Sequence, residues 1–261
     1  MTPPSPDAAA ALDAVEALVR SAPVAITYSE SGLVDDEAAY LAFHRVRFRE
    51  TLSRVAAALP ASARVLDVGG QFLHLALALR ELGYAVDAAD ISPYGDDPRL
   101  LARAGAGLAV HPIQSLARLD FPDATFDAVL LLEILEHLTQ NPRPLWTELG
   151  RVLKPGGRVI VTTPNLYRVG GGGGAALQAW RLLTARGSGP TVEEVLTLQT
   201  GAHHWREYGR RELRRYFAML GWRIVREESF NYLPSRRPLL LALKRLFPAL
   251  HDCLYLELVR A

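Results

Sequence analysis

Asp67 and Asp90 stand at or near the ends of two short apolar runs, and Gly69-Gly70-Gln71 follows the first of them. Glycine lets backbone N–H groups come close to a ligand. A carboxylate ending the next strand, 21 residues after Gly69, can accept hydrogen bonds from both hydroxyls of a ribose. Together these residues could hold any adenosine-containing cofactor. Farther along, Glu133, Glu136 and His137 follow the apolar run 126 to 132, and His203-His204 precedes Tyr208. Histidine titrates near neutrality when unperturbed, so His137, His203 and His204 are candidate bases, with Tyr208 beside them. Adjacent histidines on a loop usually diverge, and the sequence places no third ligand beside them, so no metal is expected.

The spacing of apolar residues predicts the elements that must position these groups. Strands are expected at 64 to 68, 84 to 90, 108 to 113, 126 to 132 and 158 to 163, with helices at 72 to 82, 98 to 104 and 142 to 153. Such alternation predicts a doubly wound, mostly parallel sheet covered by helices on both faces. Ahead of it, residues 7 to 20 carry apolar positions at helical spacing, and Asp35 can cap a second helix running to about Leu59, where Pro60 ends it. After Asn165 the rhythm breaks into Gly170 to Gly174, a helical stretch near 175 to 185 and a polar segment, and this reads as an insertion. Helix 209 to 220, strand 222 to 229, helix 238 to 247 and strand 253 to 259 then restore the alternation, the last strand being expected at the sheet edge. The expected organisation is an N-terminal helical cap over 1–60 and an α/β domain over 61–261, with 166–204 as an inserted lid.

Composition narrows the partners. With 29 basic and 28 acidic side chains among 261 residues, there is no uniform positive field for a nucleic-acid backbone, and none is expected as substrate. Cys253 is the only cysteine, which excludes an intrachain disulfide and a four-cysteine zinc site. The N-terminus lacks the pattern of a secretory signal and no run approaches membrane-spanning length, so a cytoplasmic protein is expected. Helix 238 to 247, with Leu239, Leu240, Leu243, Leu246 and Phe247 beside Lys244 and Arg245, could touch a membrane surface; packing against the sheet edge is the reading preferred here.

Three strings together resemble the class I methyltransferases that use S-adenosyl-L-methionine: Arg64-Val65-Leu66-Asp67-Val68-Gly69-Gly70, Phe126 through Leu132 followed by Glu136-His137-Leu138, and Leu153-Lys154-Pro155-Gly156-Gly157. The resemblance covers about residues 60 to 230 and points to the small-molecule branch with the Glu-His-Leu signature. It implies a Rossmann-like, seven-stranded sheet with an antiparallel final strand. It further implies that Asp67 helps hold the methionine amino group, that Gly69 and Gly70 let the backbone close on the cofactor, and that Ile91 packs on adenine. The family usually has further glycines where this chain has Gln71 and Leu73, and an acid near the adenine where this chain has Gln114 and Ser115. Gln71 and Ser115 are therefore candidate polar contacts, as is Glu133 at the strand end. Lys154-Pro155-Gly156-Gly157 is expected to turn the chain into the fifth strand, and Asn165 to line the acceptor pocket.

The function this implies is methyl transfer to a small or medium-sized acceptor, with an oxygen of a sugar or other metabolite preferred. The inserted lid would bring His203 or His204 toward a hydroxyl, with His137 as the competing base. A non-catalytic scaffold that keeps the fold is the alternative, motivated by Gln71 and Leu73. A nicotinamide-dependent oxidoreductase is weakened because Gly69-Gly70-Gln71 is not a Gly-x-Gly-x-x-Gly turn.

Overall fold

The structure is a computed structural model that describes residues 6–27, 34–91, 94–169, 204–233 and 237–261. The stretch 170–203, which holds the glycine run, the helix expected near 175 to 185, most of the inserted lid and His203, lies outside the described residues. The chain divides into two compact units, one of Met1–Leu132, Pro142–Ile160 and Arg260, the other of Glu133–Asn141, Val161–Val259 and Ala261.

In the first unit, α1 (Pro6–Ser21) and α2 (Glu37–Ala58) flank a small antiparallel hairpin of β1 (Ala25–Thr27) and β2 (Val34–Asp36). Strands of three residues are too short to show an alternating pattern, which is why the sequence reads as loop there. The cap of α2 is Asp36 and not Asp35, because Asp35 is taken into β2 opposite Ile26 while the Asp36 carboxylate accepts from Ala39 N. Then follow β3 (Arg64–Val68), α3 (His74–Glu81), β4 (Ala85–Asp90), α4 (Pro98–Ala104), β5 (Ala109–Pro112), β6 (Phe126–Leu132) and α5 (Arg143–Val152). Val65, Leu66 and Val68 of β3 and Ala128 through Leu131 of β6 are fully buried, as strands covered on both faces must be. β3 runs parallel to β4 on one side and β6 on the other. The order of strands therefore reverses at β3, and an open sheet offers its ligand crevice at the carboxyl end of such a strand.

The seven strands of the main sheet lie in the order β5-β4-β3-β6-β7-β9-β8, with β7 at Leu153–Pro164, β8 at Trp222–Phe230 and β9 at Cys253–Arg260. Two expectations are corrected. Lys154-Pro155-Gly156-Gly157 lies inside β7 rather than ahead of it, with Gly156 at φ +78°. The last strand is interior and β8 forms the edge: Cys253 through Leu258 are all buried, and the one acid among them, Glu257, is bound by Arg226 and the Tyr255 hydroxyl.

In the second unit α6 spans Arg210–Met219 and α7 spans Pro238–Leu246. α7 does not pack by its leucines as expected. Leu239 and Leu246 are 73% and 71% exposed, whereas Lys244 is buried and ion-paired with Asp252. Asp252 also accepts from the backbone N–H groups of Tyr232 and Leu233, so the pair is surrounded by donors that offset its desolvation. No described helix is long and apolar enough to cross a membrane.

Candidate active site

The carboxyl end of β3 carries the glycine turn. Gly69 adopts φ +75° and its N–H donates to the Ala89 carbonyl at 2.8 Å, tying the turn to β4. Gln71 and Leu73 stand where the resembled family has glycines, and both hold the left-handed conformation, at φ +51° and +64°. The turn thus keeps a glycine-like path with side chains on it, at a strain of about 1–2 kcal/mol per residue. Leu73 offsets this by full burial and Gln71 by donating its amide to the Tyr94 hydroxyl at 3.1 Å. Gly70 is required for another reason: a Cβ there would stand 2.7 Å from Asp67 Oδ2.

Asp67 is 2% exposed and its Oδ2 is buried with no hydrogen-bond partner among the described residues. Burial, aided by the charge of Asp90, pushes its carboxyl up to about 7. Asp90 is also buried; its Oδ2 accepts from Gln71 N at 2.7 Å and its Oδ1 from Ile91 N at 2.8 Å. Desolvation raises it to about 6 despite these two bonds. Each oxygen retains a further lone pair for a ligand hydroxyl. Ile91 is 45% exposed, so its side chain is not core and stays open to a flat apolar ring. Ser115 is exposed, and its hydroxyl accepts from Ala117 N at 3.1 Å while keeping its own proton to donate.

Residues that sequence reasoning missed support this turn. Gly95 packs so closely on β4 that a Cβ would lie 2.2 Å from the Asp90 carbonyl oxygen. From α2, Tyr40 meets Phe72 at 5.7 Å, and the Arg47 guanidinium, on a residue 5% exposed, donates to the Tyr40 hydroxyl. The fully buried carboxylate of Glu37 accepts from Val24 N, His74 Nε2 and Arg103. Burial raises Glu37, but its hydrogen bonds with His74, Arg103 and Val24 outweigh burial and hold it below the usual range. None of these has a signal readable from spacing, because the contacts of Glu37 and Tyr40 with His74, Arg103 and Phe72 join segments distant in sequence, and Gly95 lies in no periodic pattern.

The second unit holds the other candidates. Glu133 lies at φ +58°, its N–H donates to the Thr162 carbonyl, and its Oε1 is 3.5 Å from the Cys253 thiol. Glu136 is fully buried and its Oε2 accepts from the Thr163 hydroxyl at 3.0 Å. Its carbonyl accepts from Trp205 N at 2.8 Å, which seats the segment after the insertion on the turn 135–137. That contact brings His204 edge-on to His137, with ring centroids 5.1 Å apart. Glu136, His137 and His204 each bring one ligand atom within 4.8 Å of the others. The fold thus assembles side chains that sequence spacing keeps apart. Asn165 has its side-chain amide engaged by backbone. It borders a cavity of about 850 Å³ with Tyr167, Arg211 and Tyr216, but its amide donates to the Ala249 and His251 carbonyls while its oxygen accepts from Tyr167 N. Its role is to fasten the end of β7.

A parallel sheet that reverses at β3, a left-handed turn there and an acid ending β4 define a Rossmann-like domain built for an adenosine cofactor. The methyltransferase domain family matches residues 40–227, and the chain belongs to it. S-adenosyl-L-methionine is the cofactor of that family, and the turn fits it: Asp67 Oδ2 is a buried acceptor with no donor among the described residues, and a methionine ammonium is one. The chain is 37% identical over 108 residues to a ubiquinone biosynthesis O-methyltransferase of Xanthomonas axonopodis, covering 41% of this chain and 45% of that one. A protein of the same name from Dechloromonas aromatica is 37% identical over 109 residues, covering 40% and 46%. The matched region thus spans under half the length of these relatives. An S-adenosylmethionine dependent methyltransferase from Mesorhizobium loti shares the fold at a TM-score of 0.54 and 22% identity, over 79% of this chain and 96% of that one.

Proposed function

We propose that this chain transfers a methyl group from S-adenosyl-L-methionine to an oxygen of a small or medium-sized acceptor such as a sugar or other hydroxylated metabolite. The observation that carries the reading is the pair of buried carboxyls at the β3 and β4 ends, one with an oxygen awaiting a donor. The O-methyl chemistry in the relatives' names favours oxygen as the acceptor atom. When bound, the cofactor supplies a methyl group already activated on a sulfonium. Asp67 then anchors an ammonium, Asp90 accepts from ribose hydroxyls, Ile91 offers an apolar face to adenine, and Gln71, Ser115 and Glu133 supply polar contacts. The work left to the protein is alignment of the acceptor, exclusion of water and removal of one proton. His137, His203 and His204 are the proposed bases. A cytoplasmic setting, no nucleic-acid partner and a lid over 166–204 complete the reading.

The scaffold alternative rests on Gln71 and Leu73. Their left-handed conformations weigh against it, because the backbone path around the turn is retained. Calorimetry on cofactor-stripped protein tests both readings. Micromolar binding of S-adenosyl-L-methionine and S-adenosylhomocysteine that weakens at least tenfold in Asp90→Ala is expected; no binding of either would leave the scaffold reading. An acceptor screen read by mass spectrometry, for gain of one methylene, then tests the transfer.

A further inference from the structure

Beside the candidate bases, the described structure holds an ion pair that methyl transfer as proposed above does not use. Arg168 and Glu207 are 9% and 13% exposed at their side chains, and the guanidinium donates to both carboxylate oxygens, at 2.6 and 2.7 Å. The pair spans the two ends of the insertion, where Leu166 N also donates to the Tyr208 carbonyl. Glu207 Oε1, the oxygen that also accepts from Arg168 Nη2, lies 3.2 Å from His204 Nδ1. A carboxylate only accepts, so the hydrogen between them belongs to the imidazole and sits on Nδ1. Burial raises Glu207, but its bonds with His204 and Arg168 outweigh burial and bring it down to about 2, so it stays a carboxylate at neutral pH. The His204 side chain is 40% exposed.

We infer that Glu207, locked by Arg168, is a positioning residue that fixes His204 in its Nδ1–H tautomer and presents Nε2 as the proton acceptor for a hydroxyl substrate. The inference rests on the histidine-base reading above and selects His204 from its three candidates, because an ion-paired carboxylate lies at its ring nitrogen. In the step itself the acceptor oxygen forms its bond to the methyl carbon as the carbon–sulfur bond breaks, and that electron pair stays on sulfur as a neutral thioether. The hydroxyl proton passes to Nε2. The imidazolium so formed faces the Glu207 carboxylate through Nδ1–H, and its exposed ring returns the proton to solvent.

The tautomer can be read without cofactor or acceptor. In full-length protein labelled with 15N-histidine, His204 is expected to show a protonated Nδ1 and a bare Nε2. Glu207→Ala removes the acceptor from Nδ1, and a mixture of tautomers is expected there. Turnover is then followed with 3,4-dihydroxybenzoate and glucose as hydroxyl probes. Glu207→Ala should lower kcat on the order of 10-fold, with binding of S-adenosylhomocysteine by calorimetry unchanged, as expected when a base is no longer held in the productive tautomer. An unaltered His204 tautomer in Glu207→Ala, or an altered one with unchanged kcat, overturns the inference. If His204→Ala is slow while Glu207→Ala turns over like wild type, this inference alone fails and the base reading stands. A wild type that methylates neither probe, or a His204→Ala as fast as wild type, overturns the base role of His204 itself.

Discussion

The carboxyls of Asp67 and Asp90 rise to about 7 and about 6 for one dominant reason, burial, and this couples stability, binding and pH. A carboxyl raised in the folded state binds protons that the unfolded chain has already lost. The stability it contributes is therefore full below the unfolded value near 4 and is lost as pH rises through the folded value. Melting temperature of the cofactor-free protein should accordingly fall between about pH 4 and 7, and Asp67→Asn should flatten that fall and melt higher at pH 8, by an amount worth about 1–3 kcal/mol. Binding runs the other way. An ammonium on Asp67 Oδ2 needs the carboxylate, so S-adenosyl-L-methionine should bind more tightly at pH 8 than at pH 6 and release protons on binding. Calorimetry in two buffers of different ionisation heat measures that release, and Asp67→Asn should abolish it while weakening affinity at least ~10-fold. Gly70→Ala should weaken affinity similarly, since its Cβ would push on the same oxygen. Equal proton release in wild type and Asp67→Asn would show that the amino group is held elsewhere.

At the scale of elements, Gln71 and Leu73 make the same departure from a glycine pattern yet carry opposite expectations. Gln71→Gly relieves a left-handed side chain that is only half-buried, and should change stability within about 1 kcal/mol, toward a higher melting temperature. Leu73→Gly relieves similar strain but removes a fully buried side chain, and should cost about 2–4 kcal/mol in a denaturant titration. Glu37→Ala at the head of α2 should cost about 3–5 kcal/mol, because it strands the buried His74 and Arg103. The sequence made some of this visible and hid the rest. β6 and α4 begin and end where periodicity puts them, since long apolar runs and a Pro-led helix are strong local signals. The Asp67-Gly69-Asp90 arrangement was legible too, because strand, turn and acid follow in a fixed order. The Glu136-His137-His204 cluster and the Arg168–Glu207 pair were not, because each is created by tertiary folding between segments with no local pattern in common, and the close approach of Gly95 to Asp90, five residues apart, leaves no periodic trace. Asn165 shows the opposite error: a polar residue at a strand end looks free in sequence, and its hydrogen bonds turn out to be spent on backbone.

For the molecule as a whole, charge balance and ligand linkage set different expectations. With 29 basic and 28 acidic side chains, many of them in ion pairs such as Arg151 with Glu148 and Asp123, the chain carries a net charge of +1, and the proposed acceptor is not a polyanion. A protein that neutralised several phosphates would lose affinity steeply with salt. Turnover on a small neutral acceptor should instead vary less than about twofold between 50 and 300 mM salt, because no counterions are displaced. A steep salt slope would point to an anionic partner and against the small-acceptor reading. Ligand linkage is the complementary test. A cofactor that binds only the folded chain stabilises it by about 2.7 kcal/mol at a concentration 100 times its Kd. In a protein of this size each kcal/mol moves the melting temperature by about 2–4 °C. S-adenosyl-L-methionine at that concentration should therefore raise Tm by roughly 5–10 °C, as read by calorimetric scans. Asp90→Ala, weakened tenfold, should lose about half of the rise at the same ligand concentration, because the linkage term falls to about 1.4 kcal/mol. A full rise in Asp90→Ala would mean that the ribose contact lies with another residue and that the end of β4 serves the fold alone.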